Sequence, residues 1–177
     1  MFEEIMGEPW VQVALPYWPY LAGVAVVFLV IVALKRLFRK RTTFVILDGS
    51  NVMYWHNGTP KLKTVRLAVD EAITKGYVPV VWFDANVGYL VSDKYMGPGR
   101  LANELGLSAK QVLVSPRGTP ADPLILQMAK FDNIRIITND RYRDWEDDFE
   151  ILRQQDLLVR GHWSRGRVHL KGLPALG

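Results

Sequence analysis

Residues 43–51, with the sequence TFVILDGSN, place a compact apolar run directly before an Asp-Gly pair. Such a run is typical of a strand buried on both faces, and Asp-Gly is typical of the turn that follows it. The same alternation continues along the chain, with apolar runs at 78–83, 111–115 and 134–138 and helical spacing at 59–76, 100–107, 119–131 and 141–155. The pattern predicts an α/β fold of three layers with a mainly parallel, Rossmann-like sheet in one domain, 42–177.

The composition excludes several kinds of chemistry. Of the 177 residues, 49% are hydrophobic and 23% charged, which excludes a wholly disordered chain. The absence of cysteine excludes disulfides, a thiol nucleophile, thiolate zinc sites and iron–sulfur clusters. Three scattered histidines, His56, His162 and His169, are too few for a histidine-rich metal site. Any active site must therefore be built from carboxylates, hydroxyls, amides and basic side chains.

The N-terminal region has the pattern of a membrane anchor. Residues 15–34 are uncharged and mostly apolar, about 30 Å long as a helix, with aromatic residues at one end and the basic cluster 35–41 at the other. A signal peptide or a buried core helix are alternatives, but the acidic start and the lack of a polar face fit them less well. We expect a single-pass helix after a short extracytoplasmic segment, 1–14. Residues 35–41 would then be a juxtamembrane linker and 42–177 cytoplasmic, as at a bacterial inner membrane.

Aspartates follow several of the predicted strands. Asp48, Asp84 and Asp140 come after the first, second and fourth strands, and Asp122 begins the helix after the third. Asp144 would face the same edge if a helix started near residue 140. Because the carboxyl ends of parallel strands meet at one edge, these side chains should converge there. Clustered carboxylates repel one another unless a cation offsets their charge, and Mg²⁺ prefers oxygen ligands. The pattern therefore predicts a magnesium-type site, which suits phosphodiester chemistry.

Each of these aspartates also has a purely structural explanation. Asp48 could only begin a turn, and Asp84 could only open a loop. Thr119-x-x-Asp122 has the spacing of a capping box, and an acid in the first turn favours the helix dipole. Asp140 could be the N-cap of the last helix, with Asp144 paired to a neighbouring arginine. Capping and catalysis are compatible, so these explanations do not exclude the site.

The residues that could contact a phosphodiester substrate are basic. Residues 160–171, RGHWSRGRVHLK, carry four Lys or Arg around Trp163 with no acid, which suits phosphate contacts and base stacking. A terminal β-hairpin that happens to be basic is an equally good explanation of this stretch. The predicted substrate-binding residues are Arg117 and Arg141, near the site edge, with Arg165 and Arg167 in the basic stretch.

Other motif-based functions fit poorly. No G-x-x-x-x-G-K-[ST] or G-x-G-x-x-G string occurs, which argues against a nucleotide cofactor. A phosphatase of the haloacid dehalogenase type would need Asp at position 50, which is Ser50. The remaining alternative to an enzyme is a membrane-tethered RNA-binding or scaffolding module with a vestigial nuclease site.

Three stretches together resemble the NYN branch of the PIN-like nuclease superfamily, and within it the regnase-type ribonuclease domain found beside a CCCH zinc finger. These are FVILDGSNVMYW at 44–55, ADPLILQMAK at 121–130 and IITNDRYRDW at 136–145. The resemblance covers about residues 42–150 and implies a PIN-like fold. Two differences stand out: the central helix has Ala121-Asp122 where the family commonly has adjacent acids, and a chain without cysteine carries no such zinc finger.

The resemblance also implies an activity and a set of residues. Family members are endoribonucleases that use Mg²⁺, or Mn²⁺ in its place, so single-stranded RNA is the expected substrate and a homodimer is plausible by analogy. The catalytic residues it implies are Asp48, Asn51, Asp122, Asp140 and Asp144. Of these, Asp48, Asp140 and Asp144 are the expected metal ligands, with Asp84 and Asp122 as further candidates. Asp122 would orient or deprotonate the attacking water.

Overall fold

The structure, a computed structural model, describes residues 17–37 and 42–176, and the chain divides into two units at residues 41 and 42. In the first unit, helix α1 covers Trp18–Leu37. In the second unit, the strands are β1 Phe44–Asp48, β2 Val78–Phe83, β3 Val112–Val114, β4 Ile136–Ile137, β5 Leu158–Ser164 and β6 Arg167–Lys171. Its helices are α2 Gly49–Val52, α3 Leu62–Thr74, α4 Val87–Ser92, α5 Pro98–Leu105 and α6 Ala121–Asp132.

The predicted membrane anchor requires a correction. Among residues 17–37 and 42–176, no helix is both long enough and apolar enough to cross a membrane. Helix α1 begins at Trp18, later than predicted, and its last turns contain Lys35 and Arg36. Its uncharged part, 18–34, is about 25 Å long, whereas a hydrocarbon core is about 30 Å thick. The prediction of a single-pass membrane protein is therefore wrong, and residues 1–14 lie outside the described part.

The six strands form one mixed sheet in the order β3-β2-β1-β4-β5-β6. All neighbouring pairs are parallel except β5 and β6, which form an antiparallel hairpin. Because β1 is buried between two parallel neighbours, it has apolar residues on both of its faces. The expected mainly parallel sheet is confirmed, and its antiparallel edge is the basic stretch 160–171.

Helices cover both faces of the sheet. On one face, Val45 and Leu47 of β1 pack with the apolar sides of α3 and α5, among them Val65 and Leu101. On the other face, Ile46 packs with Ile125 of α6. Alternate residues of one strand thus enter two separate cores, as the period of two requires. The three-layer arrangement follows from this alternation.

The chain order creates a crevice beside β1. The chain runs outward from β1 through β2 to β3, then crosses back to place β4 on the other side of β1. The connection after β1 therefore leads to one side of the sheet, and the connection after β4 leads to the other. Between two such strands a ligand crevice forms, beyond their carboxyl ends. Asp48, the last residue of β1, and Thr138, the residue after β4, lie at that point.

The predicted helix at 141–155 is wrong. This segment instead forms two short 3-10 turns, Arg143–Trp145 and Glu150–Arg153. Tyr142 has φ +53°, in the left-handed region, and a continuous right-handed helix cannot pass through such a residue. The Thr119 capping box is also not formed, because α6 begins at Ala121 after Pro120 and has no side-chain cap from Thr119.

The fold predicts a strong effect at one glycine. A Cβ on Gly49, at the start of α2, would lie 2.5 Å from the Phe83 ring, so the close approach of α2 to β2 requires glycine. We expect Gly49→Ala to lower the free energy of unfolding by about 1–3 kcal/mol, as overpacking does. Gly99→Ala, in α5, is the matched control because no atom lies within 4 Å of its Cβ position. Urea unfolding of both variants checks this, and equal stability of the two would contradict the packing.

Candidate active site

The Asp48 carboxylate is almost wholly buried, with 4% of the residue exposed, and it accepts three hydrogen bonds. The backbone N–H of Asn51 donates to Oδ1 over 3.0 Å. The hydroxyls of Thr138 and Tyr142 both donate to Oδ2, each over 3.0 Å. Burial raises the pKa of Asp48 from 3.8 to about 6, although the three hydrogen bonds lower it and Asp122 adds a further rise. The Asp48 carboxyl therefore takes up a proton at a higher pH than an ordinary aspartate does.

Asn51 connects the turn after β1 to the loop after β4. Its Oδ1 accepts from the Trp55 indole N–H over 2.9 Å and from the backbone N–H of Asn139 over 2.9 Å. The Asn139 side chain in turn donates to the Gly161 carbonyl and accepts from the Gly161 N–H. Asn51 thus fixes the position of two loops, and Asn139 continues the pairing of β4 with β5 beyond the end of β4.

Asp84 connects the end of β2 to the start of α6. Its backbone N–H donates to Ser50 Oγ over 2.8 Å, and its Oδ1 accepts from the backbone N–H of Ala121 over 3.0 Å. Asp84 therefore supplies the cap that Thr119 was expected to supply to this helix. A carboxylate at a helix N-terminus is favoured by the helix dipole and by the free N–H groups there.

Asp122, in the first turn of α6, lies among the other aspartates. Partial burial raises the pKa of Asp122, and the negative charges of Asp140, Asp84 and Asp144 raise it further, while the Trp145 indole counteracts part of the rise. The negative charge of Asp122 also raises the pKa of Asp48. Asp122 thus lies close enough to the other four aspartates predicted from the sequence for their charges to repel it.

Residues 138–144 carry two of these acids on an unusual backbone. Thr138 is buried, and its hydroxyl both donates to Asp48 and accepts from the backbone N–H of Asp140. Asp140 Oδ1 accepts from the backbone N–H of Tyr142 over 2.8 Å, which holds Tyr142 in its left-handed conformation. Burial, followed by the Asp48 charge, raises the pKa of Tyr142, so its hydroxyl stays a donor. Asp144 lies in the 3-10 turn and is exposed.

The donor set of the site suits a hard divalent cation. Within residues 17–37 and 42–176, no ion pair involves a site aspartate. Oxygen-only ligands without a basic counter-charge fit Mg²⁺ or Mn²⁺ better than a softer metal. In the same part of the chain, however, no three acidic or histidine side chains are arranged to close around one ion. The carboxylates fit an ion that keeps much of its water shell, as Mg²⁺ does.

The predicted basic residues take different positions. Arg117 is exposed in the loop between β3 and α6, and Arg141 is exposed next to Asp140. Arg165 lies in the turn of the β5–β6 hairpin with φ +48°, and Arg167 begins β6. Ile137 pairs with Val159, so β5 continues well past the end of β4. The hairpin turn therefore lies beyond the same sheet edge as the acidic site.

Four contributors to the site were not predicted. Ser50 accepts from the backbone N–H of Asp84, and the hydroxyls of Thr138 and Tyr142 donate to the Asp48 carboxylate. Arg160 donates through Nη1 to the carbonyl of Asp140 over 2.7 Å. The first three lie inside the D-G-S-N and T-N-D-x-Y stretches that were singled out. Their place in those motifs was the available signal, but hydroxyl groups have too many ordinary roles for spacing alone to assign them one.

Comparison with protein families gives a clear result. Residues 41–160 match the model described as Zc3h12a-like ribonuclease NYN domain, which is more than half of the chain. The chain belongs to this family. The resemblance to NYN ribonucleases drawn from the three sequence stretches is thereby confirmed, and residues 41–160 form an NYN ribonuclease domain. No curated protein matches the chain.

Solved structures agree on the fold. A crystal structure of nuclear proteinaceous RNase P 2 (PRORP2) from A. thaliana is similar with a TM-score of 0.57 and 16% identity. That match covers 81% of this chain and 32% of the other. A second structure, of Arabidopsis thaliana nuclear protein-only RNase P 2, has the same TM-score and 17% identity. That match covers 93% of this chain and 37% of the other. This chain thus spans about a third of the length of these proteins, and the similarity shows a shared fold.

The buried Asp48 predicts a specific pH dependence. Its pKa is about 6 when folded and near 3.8 when unfolded, so the folded state binds the extra proton. Its contribution to stability is therefore greatest below about pH 4 and is lost as the pH rises through 6, by about 3 kcal/mol. Asp48→Asn carries no charge there. In EDTA, we expect the melting temperature of this variant, relative to the natural chain, to rise by several degrees from pH 4 to pH 7.5.

Thermal unfolding followed by circular dichroism checks this expectation. Asp132→Asn, at the far end of α6, is a suitable control because Asp132 is exposed. A difference between Asp48→Asn and the natural chain that stays constant across this pH range would contradict the buried, perturbed carboxyl.

Proposed function

We propose that the domain is a Mg²⁺-dependent endoribonuclease that hydrolyses phosphodiester bonds of single-stranded RNA, with Mn²⁺ able to replace Mg²⁺. One observation carries the proposal: Asp122 lies close enough to Asp48, Asp84, Asp140 and Asp144 for their charges to repel. In the part of the chain that the structure describes, none of these five aspartates forms an ion pair. A fold gains nothing from repelling carboxylates unless they serve a cation. The family membership supplies the substrate class.

In this proposal Asp48, Asp140 and Asp144 would hold the ion, in part through water, with Asp84 and Asp122 as further candidate ligands. When bound, the ion would stabilise charge on the phosphate oxygens and lower the pKa of a water molecule. The hydrogen bonds from Asn51, Thr138 and Tyr142 fix the orientation of the Asp48 carboxylate. These three are positioning residues, because their groups act through Asp48.

Asp122 is the best candidate for accepting a proton from water. Its pKa is raised by burial and by its acidic neighbours, which makes its carboxylate a stronger base than an ordinary aspartate. Asp122 is only partly buried, so one side of it is open to solvent. A carboxylate with this combination can receive a proton at its oxygen and return it to bulk water.

RNA would be held by the β5–β6 hairpin together with arginines at the site edge. From Gly161, opposite Asn139, the strand continues to Ser164, about 10 Å further along. His56 stacks on Trp163 with ring centroids 3.8 Å apart, which supports this extension from the side. Arg165 and Arg167 at its end, with Arg141 near Asp140 and Arg117 beyond β3, would contact backbone phosphates. A homodimer remains a prediction by analogy.

The nuclease activity is tested with the full chain and a labelled single-stranded RNA. We expect cleavage with Mg²⁺ that is lost in EDTA and reduced at least a hundredfold in Asp48→Asn, Asp122→Asn and Asp140→Asn. Asp132→Asn, on the same helix as Asp122 but at its other end, should cleave normally. Mg²⁺ should also raise the melting temperature of the natural chain but not that of Asp48→Asn.

Two results would overturn this proposal. Binding of RNA without cleavage under any of these metal conditions would favour the alternative, an RNA-binding or scaffolding module with a vestigial site. Cleavage that survives all three substitutions would show that the residues are wrongly assigned.

The hairpin has its own test. Replacing Arg165 and Arg167 by alanine should weaken RNA binding about equally for all sequences and reduce the slope of log affinity against log salt by about 1–2. Lys110→Ala with Lys130→Ala removes the same charge at the opposite edge of the sheet and should leave the slope unchanged. Fluorescence anisotropy in EDTA at several salt concentrations measures both. Equal slopes for the two double variants would exclude the hairpin as an RNA contact.

A further inference from the structure

A cleft of about 700 Å³ lies next to the acidic site, at the carboxyl ends of β2 and β3. Ala85, the residue after Asp84, begins one wall, and Ser115, the residue after β3, begins the other. The cleft is separate from the carboxylates themselves but shares the backbone that carries Asp84. Its lining includes Asn86, Tyr89, Tyr95, Ser115, Pro116 and Arg117.

The cleft contains a buried hydroxyl without a partner. Ser115 is 3% exposed, and its Oγ is the one buried side-chain polar atom in the described part of the chain that makes no hydrogen bond. Its backbone N–H donates to the Phe83 carbonyl, so the residue is fixed to the end of β2. A buried hydroxyl without a partner is costly, and such an atom in a cleft wall can be satisfied by a ligand.

Two large aromatic side chains line the same cleft and are exposed. Tyr89 of α4 is 57% exposed, and Tyr95 of the following loop is 64% exposed. The segments that carry them are packed tightly, because a Cβ on Gly88 would lie 2.3 Å from the Lys94 carbonyl oxygen. Exposed rings on a closely packed support are suited to stacking against a planar group.

The charge of the cleft differs from that of the acidic site. Among the residues that the structure describes, Arg117 is the one charged residue that lines the cleft, and no carboxylate lines it. A cation would therefore be bound at the aspartates and not here, whereas a planar, neutral group joined to a phosphate fits rings, a hydroxyl and a guanidinium. That combination is found in a nucleotide, whose base stacks and hydrogen-bonds while its phosphate pairs with arginine.

We propose that this cleft binds one nucleobase of the RNA substrate, adjacent to the phosphodiester that is cut. The base contacts Tyr89 and Tyr95, the Ser115 hydroxyl bonds its polar edge, and Arg117 contacts the neighbouring phosphate. This proposal rests on the proposed function, since it assigns the same substrate a second point of contact. It also makes Ser115 a residue that distinguishes one base from another, because a single hydroxyl fits some base edges better than others.

Binding is measured first, in EDTA, with the full chain and fluorescein-labelled single-stranded RNA of twelve nucleotides. We expect Tyr89→Ala and Tyr95→Ala each to weaken binding about tenfold, with an unchanged salt slope, because stacking involves no counter-ion release. Phe131→Ala, which removes an aromatic residue 88% exposed on α6, is the matched control and should bind normally. Normal binding by both tyrosine variants would overturn the proposal.

A base-free RNA separates the base contact from contacts to the backbone. The natural chain should bind an oligonucleotide with consecutive abasic positions about tenfold more weakly than the intact one. Tyr89→Ala with Tyr95→Ala should no longer distinguish the two. If the double variant discriminates as well as the natural chain, the base is bound elsewhere and the cleft is not its site.

The role of Ser115 is tested by the pattern of cleavage. Ser115→Ala should keep or raise the melting temperature, since the hydroxyl has no partner in the fold, and should make the cut positions on a mixed-sequence RNA more even. An unchanged pattern would exclude Ser115 as a specificity residue.

Failure of the base site and failure of the proposed nuclease activity give different results in these experiments. Loss of RNA binding in the tyrosine variants of a chain that does not cleave would leave the base site standing and remove the nuclease. Cleavage by the natural chain, together with normal RNA binding by its tyrosine variants, would support the nuclease activity and overturn the base site.

Discussion

The buried Asp48 carboxylate is the interaction on which the rest of the site depends. It brings together three parts of the chain, because its acceptors are filled by the turn after β1, by Thr138 at the end of β4 and by Tyr142 beyond it. A charged group in this position would be costly without these donors. The three donors reduce this cost but do not remove it, because burial still raises the pKa of Asp48 to about 6, and the cation proposed for this site would offset the remainder.

The sequence was sufficient to predict the sheet because a strand buried on both faces is marked by local composition. TFVIL at 43–47 and VPVVWF at 78–83 are apolar at every position or nearly so, and no other element fits such short runs. The convergence of Asp48, Asp84 and Asp140 followed from geometry alone, since parallel strands end at one edge. Family membership was also accessible, because D-G-S-N and N-D-x-Y-R-D are specific in that order.

Features set by contacts distant in sequence were not accessible. The helix predicted at 141–155 fails at Tyr142, whose left-handed backbone is held by Asp140 and whose hydroxyl donates to Asp48, 94 residues away. The cap of α6 comes from Asp84, 37 residues earlier, and not from the nearby Thr119. Spacing along the chain carries no information on either contact. The membrane anchor was wrong for a different reason: apolar composition does not fix where a helix begins.

The bond between Asp84 and the start of α6 has a mechanical consequence. One peptide segment, 84–85, forms the wall of the cleft on one side and restrains the helix that carries Asp122 on the other. A displacement of this segment would be transmitted to the helix start and so to the proton acceptor we propose there. A substrate seated in the cleft would in this way influence the alignment of the Asp122 carboxylate without touching it.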